Sequence, residues 1–334
     1  NLESLVQLEY DAFEDAKAHL CTFTFGATHV PNYKATFIRL TDFPGAENQG
    51  PRTLDAIRDR ACGWLFETEA DDFWKIPGNP IAYWLDSAAF ETFETQKRVA
   101  DFGKARIGMA TGKNALYVRY WHEVSWSKVG IGFNRDDASK SSKKWFPYAK
   151  GGGFRRWYGN VDVVVNWQDD GALLRNTMHP DGKRLWAHNF NLNEIFKPAI
   201  CWNVIASTEN SFRYHDAGFL FDSAAGLLQT NDRSESFQLL GLLNSRVSSY
   251  FLPAINPTIN LPPGYLEQVP VVLAGDNEVV LELIDLSRND WANAETSWSF
   301  RRSPLCERST KTTLLADSWS QWQVYSDELR NRAL

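Results

Sequence analysis

Two stretches of the sequence carry residue types and spacings suited to meeting a phosphate or a base. The first, Gly108-Met109-Ala110-Thr111-Gly112-Lys113-Asn114, brackets a polar loop with glycines. It departs from the nucleotide-hydrolysing loop at two places: three residues instead of four separate the glycines, and Asn114 stands where a Ser or Thr hydroxyl would reach Mg²⁺. What remains is a loop presenting Thr111, Lys113 and Asn114 to a phosphate or a base edge. The second stretch, Lys143 to Tyr158, interleaves Lys143, Lys144, Lys150, Arg155 and Arg156 with aromatic residues around Gly151-Gly152-Gly153. Between Ala138 and Val161 there are six basic side chains and no acidic one, in a chain of formal charge −6. Charge for affinity and rigid planar groups for stacking are what a loop entering a nucleic-acid groove needs. The bland reading of the same residues is a solvated basic loop whose aromatics face the core.

Motifs for other chemistry are missing. There is no G-x-S-x-G, no H-E-x-x-H and no acidic EF-hand loop, and the six histidines are scattered singly. His215, between Tyr214 and Asp216, reads as structural. Cys21, Cys62, Cys201 and Cys306 form no C-x-x-C pair, so they read as reduced, buried thiols, and no metal site is expected. With 43% hydrophobic and 23% charged residues the chain is globular, and without a long apolar run or signal-peptide pattern it is expected in the bacterial cytoplasm, away from membranes.

The scaffold that must hold these loops opens with three β-prone stretches, Leu5 to Tyr10, Ala18 to Phe25 and Ala35 to Leu40. Gly26, Pro31 and Asn32 predict a loop joining the second and third as neighbouring antiparallel strands. A loop over Gly45 to Arg52, a short helix over Thr53 to Arg60 and a proline-punctuated hinge over Phe73 to Pro80 follow. Residues 81–231 hold short segments, Tyr117 to Val124, Val161 to Trp167, Ile200 to Ile205 and Gly218 to Phe221, which predict a mixed or mainly antiparallel sheet with long loops. Ser234 is expected to cap one helix carrying Leu239, Leu240, Leu243, Val247 and Tyr250 and ended by Pro253; a second helix covers Glu278 to Leu286 with Val280, Leu283 and Ile284 inward. A start at Asn1 without methionine and a stop at Leu334 inside a polar, helix-like segment predict a piece of a longer protein.

Taken in order, Ile76 to Trp84, Gly108 to Asn114, Lys144 to Tyr148 with Gly151-Gly152, and Phe154 to Asn160 resemble the PglX family of BREX phage-defence adenine-specific DNA methyltransferases. So do Phe196-Lys197-Pro198, Gly241 to Ser245, Asn256-Pro257-Thr258 and Glu295 to Trp298. The resemblance implies an α/β to α+β chain: trailing antiparallel strands of a class I, Rossmann-like methyltransferase sheet (1–50), a connector (51–100), a mixed α+β target-recognition domain that binds DNA (101–270) and C-terminal helices that start a spacer (271–334). The family transfers a methyl group from S-adenosylmethionine to adenine N6, on a base flipped from the stack. This sequence lacks the family's Asn/Asp-Pro-Pro-aromatic motif and its Gly-rich cofactor turn, so the resemblance implies no cofactor and no catalysis in this chain alone. The implied partners are double-stranded DNA, other BREX defence proteins and DNA-mimic phage inhibitors. Lys113, Asn114 and Arg119 are candidates for contacts near base edges, with Thr111 of the same loop for a phosphate or a base edge; Lys143, Lys144, Lys150, Arg155 and Arg156 are candidates for phosphates, and Trp145 and Trp157 for shaping the loop. A protein-interaction module of the defence complex is the second reading; a carbohydrate-binding β domain rests on aromatic content alone.

Overall fold

A computed structural model of the protein describes residues 1–13, 18–206, 209–273, 276–306 and 314–333. The chain divides into two compact units, Asn1–Gln96 and Lys97–Leu334.

In the first unit β1 (Leu2–Gln7), β2 (Cys21–Phe25), β3 (Lys34–Arg39) and β4 (Leu65–Glu69) form one sheet in the order β2-β1-β3-β4, with α1 (Ala46–Arg58) between β3 and β4 in sequence. The second and third strands are therefore not neighbours, against the expectation. β1 lies between them, antiparallel to β2 and parallel to β3. Burial explains the order: Ala35, Phe37 and Ile38 of β3 are buried and suit the sheet interior, whereas all five residues of β2 are exposed and suit an edge. The expected loop over Gly45 to Arg52 is instead the first half of α1, with Gly45 before its first turn and Pro51 inside it. Ile38, Leu40 and Ala56 form a small core that Phe43, Trp64 and Leu65 close. The segment Phe73 to Pro80 lies within this unit, where Phe73 packs on Phe37 and Phe90, the last from α2 (Ser87–Thr95).

The second unit is a mixed α/β body with two further sheets. It begins with α3 (Val99–Phe102), β5 (Gly103–Ile107), α4 (Asn114–Tyr117), β6 (Val118–Tyr120), α5 (Arg135–Lys140), β7 (Trp145–Ala149), β8 (Val163–Asn166) and α6 (Gln168–Asn176). It continues with β9 (Ala199–Asn203), β10 (Phe212–His215), β11 (Leu220–Phe221), β12 (Ala225–Thr230), α7 (Arg233–Leu243), α8 (Arg246–Ile255), α9 (Pro263–Leu266), α10 (Asn277–Ala292) and α11 (Leu315–Ala333). One sheet is antiparallel, β10-β9-β12-β5; the other runs β11-β7-β8-β6 with β11 parallel to β7. The turn from β11 into β12 links them, and Asp222 at that turn donates its N–H to the Ala149 carbonyl at the end of β7. One core lies around Tyr117, Phe146, Tyr148 and Trp167, and another around Val161, Cys201, Phe221 and Leu227.

The single helix expected after Ser234 is two. Asp232, not Ser234, caps α7, and the break comes at Asn244, whose side chain bonds both the N–H and the carbonyl of Phe212 in β10. Ser245 then caps α8, in which Pro253 is internal. The expected strand from Tyr117 shortens to three residues because Asn114–Tyr117 is helical and a 3₁₀ turn begins at Trp121. Of the four cysteines, all free, only Cys201 is buried: Cys21 and Cys306 are exposed because an edge strand and a short 3₁₀ turn carry them. No helix among the described residues is long and apolar enough to cross a membrane.

Candidate nucleic-acid interface

The Gly108–Asn114 loop leaves β5 beneath Trp186. Gly112 has φ +75, and a Cβ there would stand 2.2 Å from the indole, so only glycine lets the ring lie on the backbone. Trp186 in turn receives Lys113 Nζ over its face at 5.7 Å and His179 edge-on at 5.7 Å. Thr111 is buried and donates to the Asn114 carbonyl oxygen Oδ1 at 2.6 Å, which turns it into a brace for the loop; Lys113 and Asn114 stay exposed. Arg119, half-buried, spends one Nη on the carbonyls of Ala115 and Val118. The loop's partner is a hairpin-like excursion with the bridge Met178 to Leu185, tied back by His188 to Ala110 and by Tyr117 Oη to Thr177. It carries Lys183 and Arg184 at its tip. These residues were not anticipated, although His179-Pro180-Asp181-Gly182 is a legible turn signal.

The Lys143–Tyr158 stretch is one segment in sequence and three environments in space. Phe146, Tyr148, Trp157 and Tyr158 are buried, so most of its aromatics are core. Trp145 is half-buried at the start of β7, with Lys144 Nζ 5.4 Å from its ring. Lys143 Nζ donates to the Ser127 carbonyl at 2.8 Å, which gathers Lys128, Lys143 and Lys144 at one edge. Three of the six charges are already compensated: Lys140 pairs with Asp136 at 2.5 Å, Arg155 with Asp290 at 2.6 Å and Arg156 with Glu209 at 2.8 Å. Lys113, Lys143, Lys144 and Lys150 make no ion pair with a carboxylate among the described residues.

Two buried polar groups, Arg213 and His215, lie on β10. Arg213 of β10 is 1% exposed and its guanidinium donates to the Arg155 carbonyl, Ser211 Oγ and Asn203 Oδ1, with no carboxylate partner and with Nε unpartnered among the described residues. Burial pulls its pKa down. Two residues on, His215 is held to about 3 by burial and by the Arg213 charge. It does not pair with Asp216, which faces Arg288 at 2.9 Å. A separate clamp joins α5 to α6: Arg135 grips Asp170 through Nε at 2.8 Å and Nη2 at 2.6 Å, and Arg175 adds a bond at 2.7 Å. The Arg135 bonds hold the Asp170 carboxyl below the usual range. No cluster of His, Cys, Asp or Glu suited to a metal occurs among the described residues.

No family model matches the chain. Among curated proteins it is 33% identical over 340 residues to the adenine-specific methyltransferase PglX of Lacticaseibacillus casei (strain Zhang), a match covering 98% of this chain and 28% of that protein. It is 32% identical over 305 residues to the adenine-specific methyltransferase BrxX of Escherichia coli O9:H4 (strain HS), covering 90% of this chain and 23% of that protein. Over nearly all of its length the chain is similar to a part of these two adenine-specific methyltransferases. It spans about a quarter of the length of these relatives. Solved structures with some likeness are the type IIL restriction-modification enzyme MmeI in complex with DNA (TM-score 0.44, 10% identity, 99% of this chain, 43% of that one) and the type IIG restriction endonuclease BpuSI (TM-score 0.34, 10% identity, 100% and 43%). Likenesses at that level leave the description of the fold unchanged. Of the segments that carry the PglX resemblance, Lys144 to Tyr148 enters β7, and Gly241 to Ser245 is the junction of α7 and α8.

Proposed function

We propose that this chain is the DNA-facing, target-recognition part of a site-specific adenine-N6 methyltransferase of a phage-defence system. The observation that carries the reading is identity at 33% across 98% of the chain to a protein named for adenine-specific methylation. The unpaired lysines of the second unit support it, since lysines already neutralised by carboxylates would gain little from phosphates. In this reading residues 101–270 hold the duplex and 271–334 begin a spacer. Residues 1–50 continue a Rossmann-like sheet, and S-adenosylmethionine and the groups that grip the flipped adenine belong to the remainder of the longer protein, acting in the bacterial cytoplasm. Lys113, Asn114 and Arg119 are assigned to base edges, and Lys143, Lys144 and Lys150 to phosphates. Binding of a labelled duplex to the chain, titrated against salt, tests this. Replacing the three phosphate-assigned lysines by glutamine is expected to lower the slope of log K against log salt by about 2.7. An unchanged affinity and slope would remove the assignment.

A further inference from the structure

The glycine loop that follows β7 is built with its acceptors inward. Asn203 Nδ2 takes the Gly152 carbonyl at 2.6 Å, Asn160 Nδ2 takes the Gly153 carbonyl at 2.8 Å, and Arg213 Nη1 takes the Arg155 carbonyl at 3.3 Å. In a planar trans peptide the next residue's N–H points opposite to the carbonyl. The N–H groups of Gly153, Phe154 and Arg156 are thereby aimed away from the scaffold, and none of the backbone N–H groups from Gly151 to Arg156 meets a protein acceptor among the described residues.

Charge beneath the loop agrees with that polarity. Arg213 is buried, carries no carboxylate partner among the described residues and reaches the loop from below. Arg155 and Arg156 are balanced by Asp290 and Glu209, which leaves Arg213 and Lys150 as the uncompensated charges around the loop. A buried cation satisfied only by neutral acceptors is costly, and an anion that docks above it recovers part of that cost. Successive outward N–H groups in a glycine-rich turn are a concave anion site. A Cβ added at Gly153 meets no atom within 4 Å, so the space over the loop is open.

We infer that Gly152 to Arg156 is a seat for one phosphate group, held by the backbone N–H groups of Gly153, Phe154 and Arg156, flanked by Lys150 and polarised from below by Arg213. In the proposed function that phosphate is a diester of the duplex backbone, and the inference rests on that reading only for the identity of the donor. The role of the stretch thus passes from the Arg155 and Arg156 side chains to its main chain.

The test uses the whole chain, labelled with ¹⁵N, and two probes: inorganic phosphate and a short duplex. Both are expected to shift the amide resonances of Gly153, Phe154 and Arg156. Gly153→Asp, which places a carboxylate over the seat without a clash, is expected to abolish those shifts and weaken the duplex about tenfold, with an unchanged melting temperature. Gly264→Asp, at another open glycine, is the control expected to change neither. If phosphate moves the three amides and the duplex binds nowhere, the seat stands and the DNA reading fails. If the duplex binds equally well to Gly153→Asp and leaves the three amides unmoved, the seat is overturned and the DNA reading survives.

Discussion

His215 offers a quantitative check on the second unit, because its surroundings leave one protonation state. The ring is 1% exposed, lies 4.7 Å from Phe219 and shares the buried face of β10 with the Arg213 cation. Desolvation, then that neighbouring charge, lowers its pKa from 6.5 to about 3. A base depressed on folding makes the unfolded state bind the extra proton, so stability falls as pH drops from the unfolded value toward the folded one. Between pH 7 and pH 5 the unfolded histidine becomes protonated and the folded one stays neutral, a loss of about 2 kcal/mol. For a body of this size that is a fall in melting temperature of about 4–8 °C. The window lies above the range where ordinary carboxylates titrate. The assay is a melting curve at the two pH values for the wild type and for His215→Phe, which keeps a planar ring and removes the titration. The wild type is expected to lose the stated amount and the variant much less. Equal losses in both would show that His215 is not buried neutral and that the placement of β10 is wrong.

Asp170 should behave in the opposite sense. Its carboxyl is lowered by the Arg135 bonds, so the clamp's contribution is present above the unfolded value near 4 and disappears as pH falls through the lower folded value. Asp170→Asn keeps a residue tolerant of its φ of 55 and should cost about 2 kcal/mol at pH 7, shrinking toward zero in acid, as read by urea midpoints across pH. Gly112→Ala should cost about 1–2 kcal/mol from its φ of +75 and push Trp186 off the loop, visible as movement of one indole N–H resonance.

What was legible in the sequence was local. Runs such as Val163-Val164-Val165 announced β8, and Val280 and Ile284 sit on the inner face of α10 as their spacing implies. The order β2-β1-β3 was not legible, because period-two patterning marks a face and says nothing about which strand lies beside which. β7 was hidden by Pro147, a residue that argues against an interior strand, although the strand lies between β11 and β8. The break at Asn244 depends on Phe212, 32 residues away, and no helical periodicity reports it.

The same distinction governs the basic stretch. Six positive charges without an acidic neighbour is a statement about sequence distance, and folding brings Glu209 and Asp290 from 53 and 135 residues away onto Arg156 and Arg155. Those two arginines enter any complex already paired. Exchanging a carboxylate for a phosphate then releases the counterion of that phosphate, offset by any that the freed carboxylate takes up. If only Lys143, Lys144 and Lys150 meet phosphates, log K against log salt should fall with a slope of about −2.7; if both arginines abandon their partners for DNA as well, the slope steepens to about −4.5. Glu209→Gln and Asp290→Asn separate the cases. In the first they free two cations and steepen the slope, and in the second they raise affinity with the slope almost unchanged.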